Sequence, residues 1–178
     1  MRAVIVGCGR VGATLAERLA RTGNEVTVVD LNAEAFGRLA PDFAGQAIRG
    51  DGTDEDVLRR AGAEGADYFF ALTEGDNRNI LAAQLAAENL AVTNPVAKIN
   101  DPVRAAAYVS LGIATICRTT MMADAMAVYA GLPETAGEPG VKGATGHAHP
   151  GSEYDGGRRD SVERRSPGSS PAATARGS

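Results

Sequence analysis

The chain has 178 residues, a formal net charge of −4, 44% hydrophobic residues and only 4% aromatic residues. This length suits one domain with an appendage, and the composition predicts a core of alanine, valine, leucine and isoleucine. The acidic balance argues against nucleic acid as a partner, because binding to a phosphate backbone needs a basic face. No apolar run approaches the roughly 20 residues of a membrane span, and a strand follows Met1 with no room for a signal peptide, so we expect a cytosolic protein.

The chain begins with a glycine-rich motif between a strand and a helix. Ala3 to Val6 form an apolar run typical of a strand buried in a parallel sheet, and Gly7, Gly9 and Gly12 follow with the spacing G-x-G-x-x-G. In that order, such glycines permit a tight turn, close approach of backbone to a pyrophosphate, and close packing of the next helix. That helix is predicted over Val11 to Thr22, and its unpaired first NH groups would face the phosphates.

A second strand, Glu25 to Asp30, ends on an acid at about the 20-residue distance typical of dinucleotide-binding folds. There the Asp30 carboxylate can accept both hydrogen bonds from an adenosine ribose diol. Leu31 and Asn32 follow in place of a basic residue, so a 2′-phosphate would meet repulsion from Asp30 with no compensating cation. The sequence therefore favours NAD(H) or another adenine nucleotide over NADP.

A helix over Ala33 to Leu39, capped by Asn32, precedes a third strand over Gln46 to Arg49. The next segment reads Gly-Asp-Gly-Thr-Asp, and Thr53 is placed to cap the following helix. Asp51 stands at the carboxyl end of the third strand, which is the ligand side of a doubly wound sheet. Two interpretations stay open: Asp51 braces a turn, or Asp51, Gly52 and Thr53 bound an adenine pocket.

The second half of the pattern repeats strand and helix. Ala66 to Thr73 is predicted as a strand beside the first, so Thr73 and the loop Glu74 to Arg78 line the crevice where the strand order reverses. An apolar helix over Asn79 to Asn89 and a strand over Pro95 to Asn100 follow. Lys98, near the end of that strand, points either at phosphate, which is slightly favoured, or toward solvent with its stem along the sheet.

The last elements close the sheet. A helix from Pro102 ends at Gly112, a sixth strand covers Ile113 to Cys117, and a final helix opens at Thr119. This helix is rich in methionine, which suits either a closing layer of the core or a dimer surface. The methionines in question are Met121, Met122 and Met126. Cys8 and Cys117 are expected to be small buried apolar residues without a disulfide, and a redox role for Cys8 is disfavoured.

From Glu138 glycine, proline, serine, alanine and arginine dominate, and such a segment cannot bury enough apolar surface to offset its ordering entropy. We therefore predict a nucleotide-binding domain over residues 1–131 and a disordered tail over residues 132–178. The only histidines, His147 and His149, lie in the tail, and we expect no metal site. The predicted fold is α/β, with a Rossmann-like, doubly wound, mostly parallel six-stranded sheet of order 3-2-1-4-5-6. The candidate nucleotide-binding residues are Gly7, Gly9, Arg10, Val11, Gly12, Asp30, Leu31, Asp51, Gly52, Thr53, Thr73 and Lys98.

Five segments together resemble a known family, the amino-terminal nucleotide-binding (RCK or KTN) domain of the Trk/Ktr-type potassium uptake regulators. They are Val6–Gly12, Val29–Asp30, Gly50–Asp54, Ala71–Thr73 with Asn79, and Asn100–Pro102. The resemblance implies a cytosolic, non-enzymatic subunit that binds NAD(H), ATP or ADP. It also implies assembly as dimers or rings on the inner face of a potassium-transporting membrane protein.

By the same resemblance, Arg10 would reach the phosphates, Asp30 the ribose, and Asp51 and Thr53 the adenine side, while the last helix would take part in subunit pairing. Full-length members carry a second, carboxyl-terminal domain where this chain has its tail. A truncated subunit, a subunit paired with a paralogue and a complete regulator all stay open.

An NAD-dependent oxidoreductase is the alternative function. It would need a substrate domain and a proton donor near the nicotinamide, and residues 1–131 contain no histidine. We therefore favour binding without chemistry, with a stand-alone dinucleotide-binding module as a further alternative.

Overall fold

A computed structural model of the chain describes residues 1–110 and 113–133. Within these residues, six strands form one sheet: β1 (Arg2–Val6), β2 (Glu25–Asp30), β3 (Gln46–Arg49), β4 (Tyr68–Ala71), β5 (Asn94–Ile99) and β6 (Ala114–Cys117). All neighbouring strands are parallel, and their order is β3-β2-β1-β4-β5-β6. The predicted Rossmann-like order is confirmed, and the order reverses between β1 and β4.

The carboxyl ends of the central strands are level. Val6 in β1 lies opposite Val29 in β2 and opposite Ala71 in β4. Backbone hydrogen bonds extend this register into the loops, because Gly7 N donates to Val29 O at 2.7 Å and Leu72 N donates to Val6 O at 2.7 Å. The loops that leave β1, β2 and β4 therefore meet at one edge of the sheet.

Within the described residues, one helix follows each strand. Over the described ranges they are α1 (Arg10–Arg21), a 3₁₀ helix (Ala33–Arg38), α2 (Glu55–Arg60), α3 (Asp76–Glu88), α4 (Pro102–Ser110) and α5 (Arg118–Tyr129). The predicted cap of the 3₁₀ helix is confirmed, because Asn32 Oδ1 accepts a hydrogen bond from Glu34 N at 3.0 Å. The element is a 3₁₀ helix where a longer helix over Ala33 to Leu39 was predicted.

The prediction that Thr53 caps α2 is wrong. Asp54 is the cap, and its Oδ1 accepts hydrogen bonds from Asp56 N at 2.9 Å and Val57 N at 3.3 Å. Thr53 instead donates its hydroxyl to Asp51 Oδ1 at 2.8 Å. Either residue type can cap a helix, and the engagement of Thr53 with Asp51 leaves the cap to its neighbour.

Several element boundaries differ from the prediction by one to three residues, and two of these differences bear on the site. β4 ends at Ala71 instead of Thr73, because Thr73 N donates to the side chain of Asn79 at 2.8 Å and not to a neighbouring strand. α3 begins at Asp76, three residues before the predicted start, with Gly75 as its cap. Asn79 therefore lies inside the first turns of α3.

Alanine, valine, leucine and isoleucine side chains fill both faces of the sheet, as predicted. Val4 belongs to a cluster with Leu58 of α2 on one face, and Ile5 belongs to a cluster with Ala16 of α1 on the other. All four side chains are fully buried. The core thus holds the central strands rigidly under the loops at their carboxyl ends.

The final helix, α5, buries no side chain within the described residues. Its methionines are exposed over more than half of their surface, and Tyr129 is 95% exposed. The closing-layer interpretation of this helix is therefore wrong for the described part of the chain, because a core layer must bury its apolar face.

The predicted helix end at Gly112 lies outside the described residues. So does almost all of the predicted tail, including His147 and His149, since description ends at residue 133. Among the described helices, none has both the length and the apolar character required to cross a bilayer.

Candidate functional site

A cavity of about 390 Å³ opens at the carboxyl edge of the sheet, where the loops leaving β1, β2, β3 and β4 meet. This volume falls within the range of about 300–1,000 Å³ that small-molecule sites usually have. The lining residues are Val6, Gly7, Cys8, Gly9, Val29, Asp30, Leu31, Asn32, Ala35, Arg38, Gly50, Asp51, Gly52, Leu72, Thr73, Glu74 and Arg78. Seven of the twelve predicted site residues are among them: Gly7, Gly9, Asp30, Leu31, Asp51, Gly52 and Thr73.

Two glycines of the first loop are required by the fold itself. Gly7 has φ +107°, a conformation that other L-residues rarely adopt, and a Cβ there would lie 2.9 Å from Leu72 C and Thr73 N. A Cβ on Gly12 would overlap Gly7 O. These contacts match the predicted tight turn and close packing of the helix on its strand.

Gly9 differs from its neighbours. Its backbone is extended, with φ −76° and ψ −175°, and a Cβ there would meet no atom of the described residues within 4 Å. The fold therefore does not require glycine at this position. A side chain would instead project into space that something outside the chain could use, which is the role that the dinucleotide-binding fingerprint assigns to its second glycine.

The amino terminus of α1 borders the same space. Its cap, Gly9, offers no side-chain hydrogen bond, and the first turn holds no acidic residue. The NH groups of Arg10, Val11 and Gly12 have no carbonyl one turn earlier to accept their hydrogen bonds, since the first helical bond runs from Ala13 N to Gly9 O. The positive end of the helix dipole, the free NH donors and the open backbone at Gly9 together suit the binding of an anionic group such as a phosphate.

Asp30 is held in place by backbone donors on both of its oxygens. Asp30 Oδ2 accepts a hydrogen bond from Cys8 N at 2.7 Å, and Asp30 Oδ1 accepts one from Asn32 N at 2.8 Å. A carboxylate offers about four lone-pair sites, so each oxygen can accept a further bond. The side chain is half-buried and lines the cavity, so it is positioned to accept the two hydroxyl groups of a ribose.

The prediction that no cation compensates Asp30 is wrong. Arg38, at the end of the 3₁₀ helix, lines the cavity together with Asp30 and Leu31, and its Nη1 donates to Ala35 O at 3.3 Å. The residues directly after Asp30 carry no positive charge, but the turn of the 3₁₀ helix returns Arg38 to the same edge of the sheet. A 2′-phosphate beside Asp30 would therefore have a cation nearby, so charge does not exclude NADP.

Asp51, in the Gly-Asp-Gly-Thr segment, braces its own turn and also lines the cavity, and its contact with an adenine ring stays a prediction. Asp51 Oδ1 accepts hydrogen bonds from Thr53 N at 2.9 Å and Thr53 Oγ1 at 2.8 Å, so it braces the turn, and it also lines the cavity. These bonds from the Thr53 backbone and hydroxyl lower the pKa of Asp51, and the charge of Arg78 adds to the effect. Gly52 approaches β1 so closely that a Cβ would overlap the side chain of Val6.

Asn79, one of the residues that carry the family resemblance, organises the β4 side of the site. This fully buried amide accepts hydrogen bonds through Oδ1 from Thr73 N and Thr73 Oγ1, at 2.8 and 2.6 Å. Its Nδ2 donates to Thr73 O at 3.0 Å and to Lys98 O at 2.8 Å. Asn79 thus ties the loop after β4 to the end of β5, and an amide at a buried position of an apolar helix was the sequence signal for it.

The remaining predicted site residues do not line the cavity. Thr53 lies behind Asp51, and Arg10 and Val11 are exposed on the first turn of α1, next to the open backbone of Gly9. Lys98 lies farther along the sheet edge, where burial, followed by the charge of Arg118, lowers its pKa. Contact between these side chains and a ligand stays a prediction.

The two cysteines are free and buried, as predicted. Cys8 lines the cavity, and burial together with the negative charge of Asp30 raises the pKa of its thiol. A thiol with a raised pKa stays protonated at neutral pH and is a poor nucleophile. Cys8 therefore contributes to the site through its backbone, because its NH donates the hydrogen bond that holds Asp30.

Comparison with known proteins identifies the family of this domain. The family model described as "TrkA-N domain" matches residues 3–119. The Trk system potassium uptake protein TrkA of Streptomyces coelicolor is 46% identical over 126 residues, which is 71% of this chain and 56% of that protein. The protein of the same name from Vibrio alginolyticus is 38% identical over 102 residues, covering 57% of this chain and 22% of its own length. The chain thus spans about half of the first relative and about a fifth of the second.

Solved structures share the fold at lower sequence identity. The AMP-bound carboxyl-terminal domain of Kef from Shewanella denitrificans has a TM-score of 0.62 and 22% identity, and covers 73% of this chain and 79% of its own. The TrkA-N domain of an inner membrane protein from Escherichia coli has a TM-score of 0.61 and 21% identity, and covers 72% and 95% of the two chains. These similarities confirm the Rossmann-like architecture.

Proposed function

The chain belongs to the TrkA-N domain family, and from that membership we propose that it is a cytosolic, nucleotide-binding regulatory subunit of a Trk/Ktr-type potassium uptake system. One arrangement in the site carries the proposal. The open backbone of Gly9 at the amino terminus of α1 faces the same cavity as the braced carboxylate of Asp30. Phosphate and ribose are the two groups that such donors and acceptors recognise.

The proposed ligand is an adenine nucleotide, NAD(H) or ATP/ADP. The NH groups of Arg10, Val11 and Gly12 would hold phosphate, and Asp30 would accept the ribose hydroxyls. Asp51 and Gly52 would bound the adenine side. Each of these residues lies at the carboxyl edge of the sheet, where ligands of doubly wound folds bind.

The proposed partner is a potassium-transporting membrane subunit. This proposal is supported by two similar proteins, both named Trk system potassium uptake protein TrkA. We also propose that α5 pairs with a second copy or with a paralogous subunit. The exposed apolar surface of α5 supports this pairing, because four large side chains are more than half exposed there: Met121, Met122, Met126 and Tyr129.

Regulation would work by population shift. A nucleotide that binds one arrangement of the paired subunits better than another biases the assembly toward that arrangement, and the assembly acts on the transporter. A nucleotide with equal affinity for both arrangements would change nothing. In this proposal the chain binds and reports a nucleotide without transforming it.

Calorimetric titration with NADH, NAD⁺, ATP and ADP tests the nucleotide site through Asp30→Asn. The variant keeps one carbonyl-type acceptor but loses the charge, and hydrogen bonds to charged groups contribute about 1.5–3 kcal/mol each. We therefore expect the affinity for the preferred nucleotide to fall at least about tenfold.

Asp67→Asn is the matched control. Asp67 also accepts a backbone hydrogen bond, from Arg2 N at 2.6 Å, but at the opposite edge of the sheet. Its substitution should leave nucleotide affinity unchanged. Equal losses in the two variants, or unchanged affinity in Asp30→Asn, would remove Asp30 from the site.

The transport role has its own test. Deletion of the gene in its host should produce a defect in growth or uptake at low potassium, and the Asp30→Asn chain should fail to restore it as well as the Asp67→Asn chain does. Normal potassium uptake after deletion would contradict the transport role while leaving nucleotide binding untouched.

A further inference from the structure

Arg78 is a cation of the cavity for which the fold has no evident use. It lies in the first turns of α3 and lines the cavity from the β4 side, and its side chain is exposed. Within residues 1–110 and 113–133, its guanidinium makes no hydrogen bond and no salt bridge. Unpaired arginines are common on protein surfaces, but Arg78 lines a cavity large enough to hold a small molecule.

The position of Arg78 is also electrostatically unfavourable for the helix. The amino terminus of a helix carries partial positive charge, so a cation there is repelled and an anion is stabilised. Arg10 holds a similar position at the start of α1, whereas Arg18 of α1 and Arg60 of α2 lie in the last turns of their helices. Asp76, the acid in the first turn of α3, accepts hydrogen bonds from Asn100 and from Asp101 N.

The charge of Arg78 acts across the cavity. It contributes to lowering the pKa of Asp51, which follows β3, a strand separated from β4 by both β2 and β1. The glycine loop lies between these two sides, because β1 lies between β2 and β4 and a Cβ on Gly7 would lie 2.9 Å from Leu72 C and Thr73 N in the loop after β4. Asp30 and Arg78 thus border opposite sides of one cavity, with the amino terminus of α1 between them.

We propose that Arg78 binds the phosphates of an adenine nucleotide that extend beyond the one held at the amino terminus of α1, and so favours ATP and ADP over AMP. This inference rests on the proposed nucleotide-binding function. A nucleotide with its ribose at Asp30 and its first phosphate at the glycine loop would direct further phosphates toward the β4 side. An arginine can hold phosphate oxygens through two parallel NH groups.

Glu74 is the acid that accompanies Arg78 on this side of the cavity. Its carboxylate would repel phosphates, so a purely electrostatic role for Arg78 as a counter-charge to Glu74 is the competing explanation. The two explanations differ in what happens when both charges are removed. Contact with phosphate predicts that loss of Glu74 does not compensate for loss of Arg78.

Titration calorimetry of the full chain with ATP, ADP and AMP tests the proposal. Arg78→Gln should lower ATP affinity about tenfold, the equivalent of one charge-assisted hydrogen bond, and should lower AMP affinity by less than about twofold. Arg78→Lys should retain part of the ATP affinity, because the charge remains but the paired NH groups do not.

Arg60→Gln is the matched control, because it removes the same charge from an exposed site in the last turn of α2, outside the cavity. It should change the affinities for all three nucleotides by less than about twofold. Circular dichroism and the unfolding midpoint of each variant show whether a change in binding comes with a loss of fold.

Four outcomes would overturn the proposal. Unchanged ATP affinity in Arg78→Gln, or equal losses for ATP and AMP, would remove Arg78 from phosphate recognition and leave the proposed nucleotide site standing. Full recovery of ATP affinity in the double variant Glu74→Gln/Arg78→Gln would assign Arg78 to charge compensation. Absence of nucleotide binding by the unaltered chain would overturn both this inference and the proposed function.

Discussion

Gly9→Ala separates the needs of the ligand from the needs of the fold more cleanly than any other single change. A Cβ at position 9 would meet no described atom within 4 Å and would not strain the backbone, which is extended at φ −76°. The same methyl group at position 12 would overlap Gly7 O. The two substitutions are chemically identical and lie three residues apart in one motif.

The expected effects on stability follow from those contacts. In Gly9→Ala, lower entropy of the unfolded chain stabilises the fold by about 0.4–1 kcal/mol, and alanine is a poorer helix cap than glycine by a similar amount. The free energy of unfolding should therefore change by less than about 1 kcal/mol. In Gly12→Ala the helix must move off the loop, and overpacking of this kind costs about 1–3 kcal/mol or more.

Gly9→Ala should affect nucleotide binding even though it barely affects stability. The methyl group of Gly9→Ala would stand where a phosphate approaches the backbone, so we expect nucleotide affinity to fall at least about tenfold in a folded protein. Urea unfolding and titration calorimetry on the same preparations measure both quantities. Full nucleotide affinity in a stable Gly9→Ala variant would refute the assignment of phosphate to this loop.

Three further predictions concern the supports of the site and the apolar helix. Asn79→Ala should lower the free energy of unfolding by about 2–4 kcal/mol in urea titrations, because it leaves three part-buried backbone groups at Thr73 and Lys98 without their partner; a change below about 1 kcal/mol would contradict the hydrogen-bond network. The pKa of Asp51 lies below its usual 3.8 because of the bonds from Thr53, so the stabilisation is present above pH 3.8 and is lost as pH falls through the lowered value. Thr53→Ala should move the pKa of Asp51 upward in a ¹³C carboxyl NMR titration, and an unchanged pKa would assign the shift elsewhere. Met126→Lys should shift a dimer toward monomer in light-scattering measurements without changing nucleotide affinity, and an unaffected dimer would exclude this face of α5 from pairing.

The fold was predictable because its signals are local and repeated. Apolar strands that alternate with periodic helices indicate a doubly wound sheet, and because the strands of that sheet run parallel, their carboxyl ends share one edge. The positions of Gly7, Gly12 and Asp30 could therefore be predicted, because they depend only on the backbone at a turn and at the end of a strand. These features need no knowledge of where long side chains point.

The features that sequence reasoning missed depend on side-chain direction. Arg38 reaches the cavity only because a 3₁₀ helix turns it back beside Asp30, and residue spacing does not specify that turn. Asp54 caps α2 instead of Thr53 because the hydroxyl of Thr53 is already bonded to Asp51. In each case a local turn or a side-chain hydrogen bond, which residue spacing does not specify, decides the outcome.

The central claim is that an adenine nucleotide occupies the carboxyl edge of this sheet, and amide chemical shifts measured during titration with NADH and with ATP test it most directly. We predict that the largest shifts fall on residues 7–13, 30–32, 51–53 and 73–74, while Gly62 and Gly65, on the loops that lead into β4 at the opposite edge, stay unchanged. The absence of shifts with either nucleotide, or shifts confined to α5 or to the opposite edge, would contradict the account.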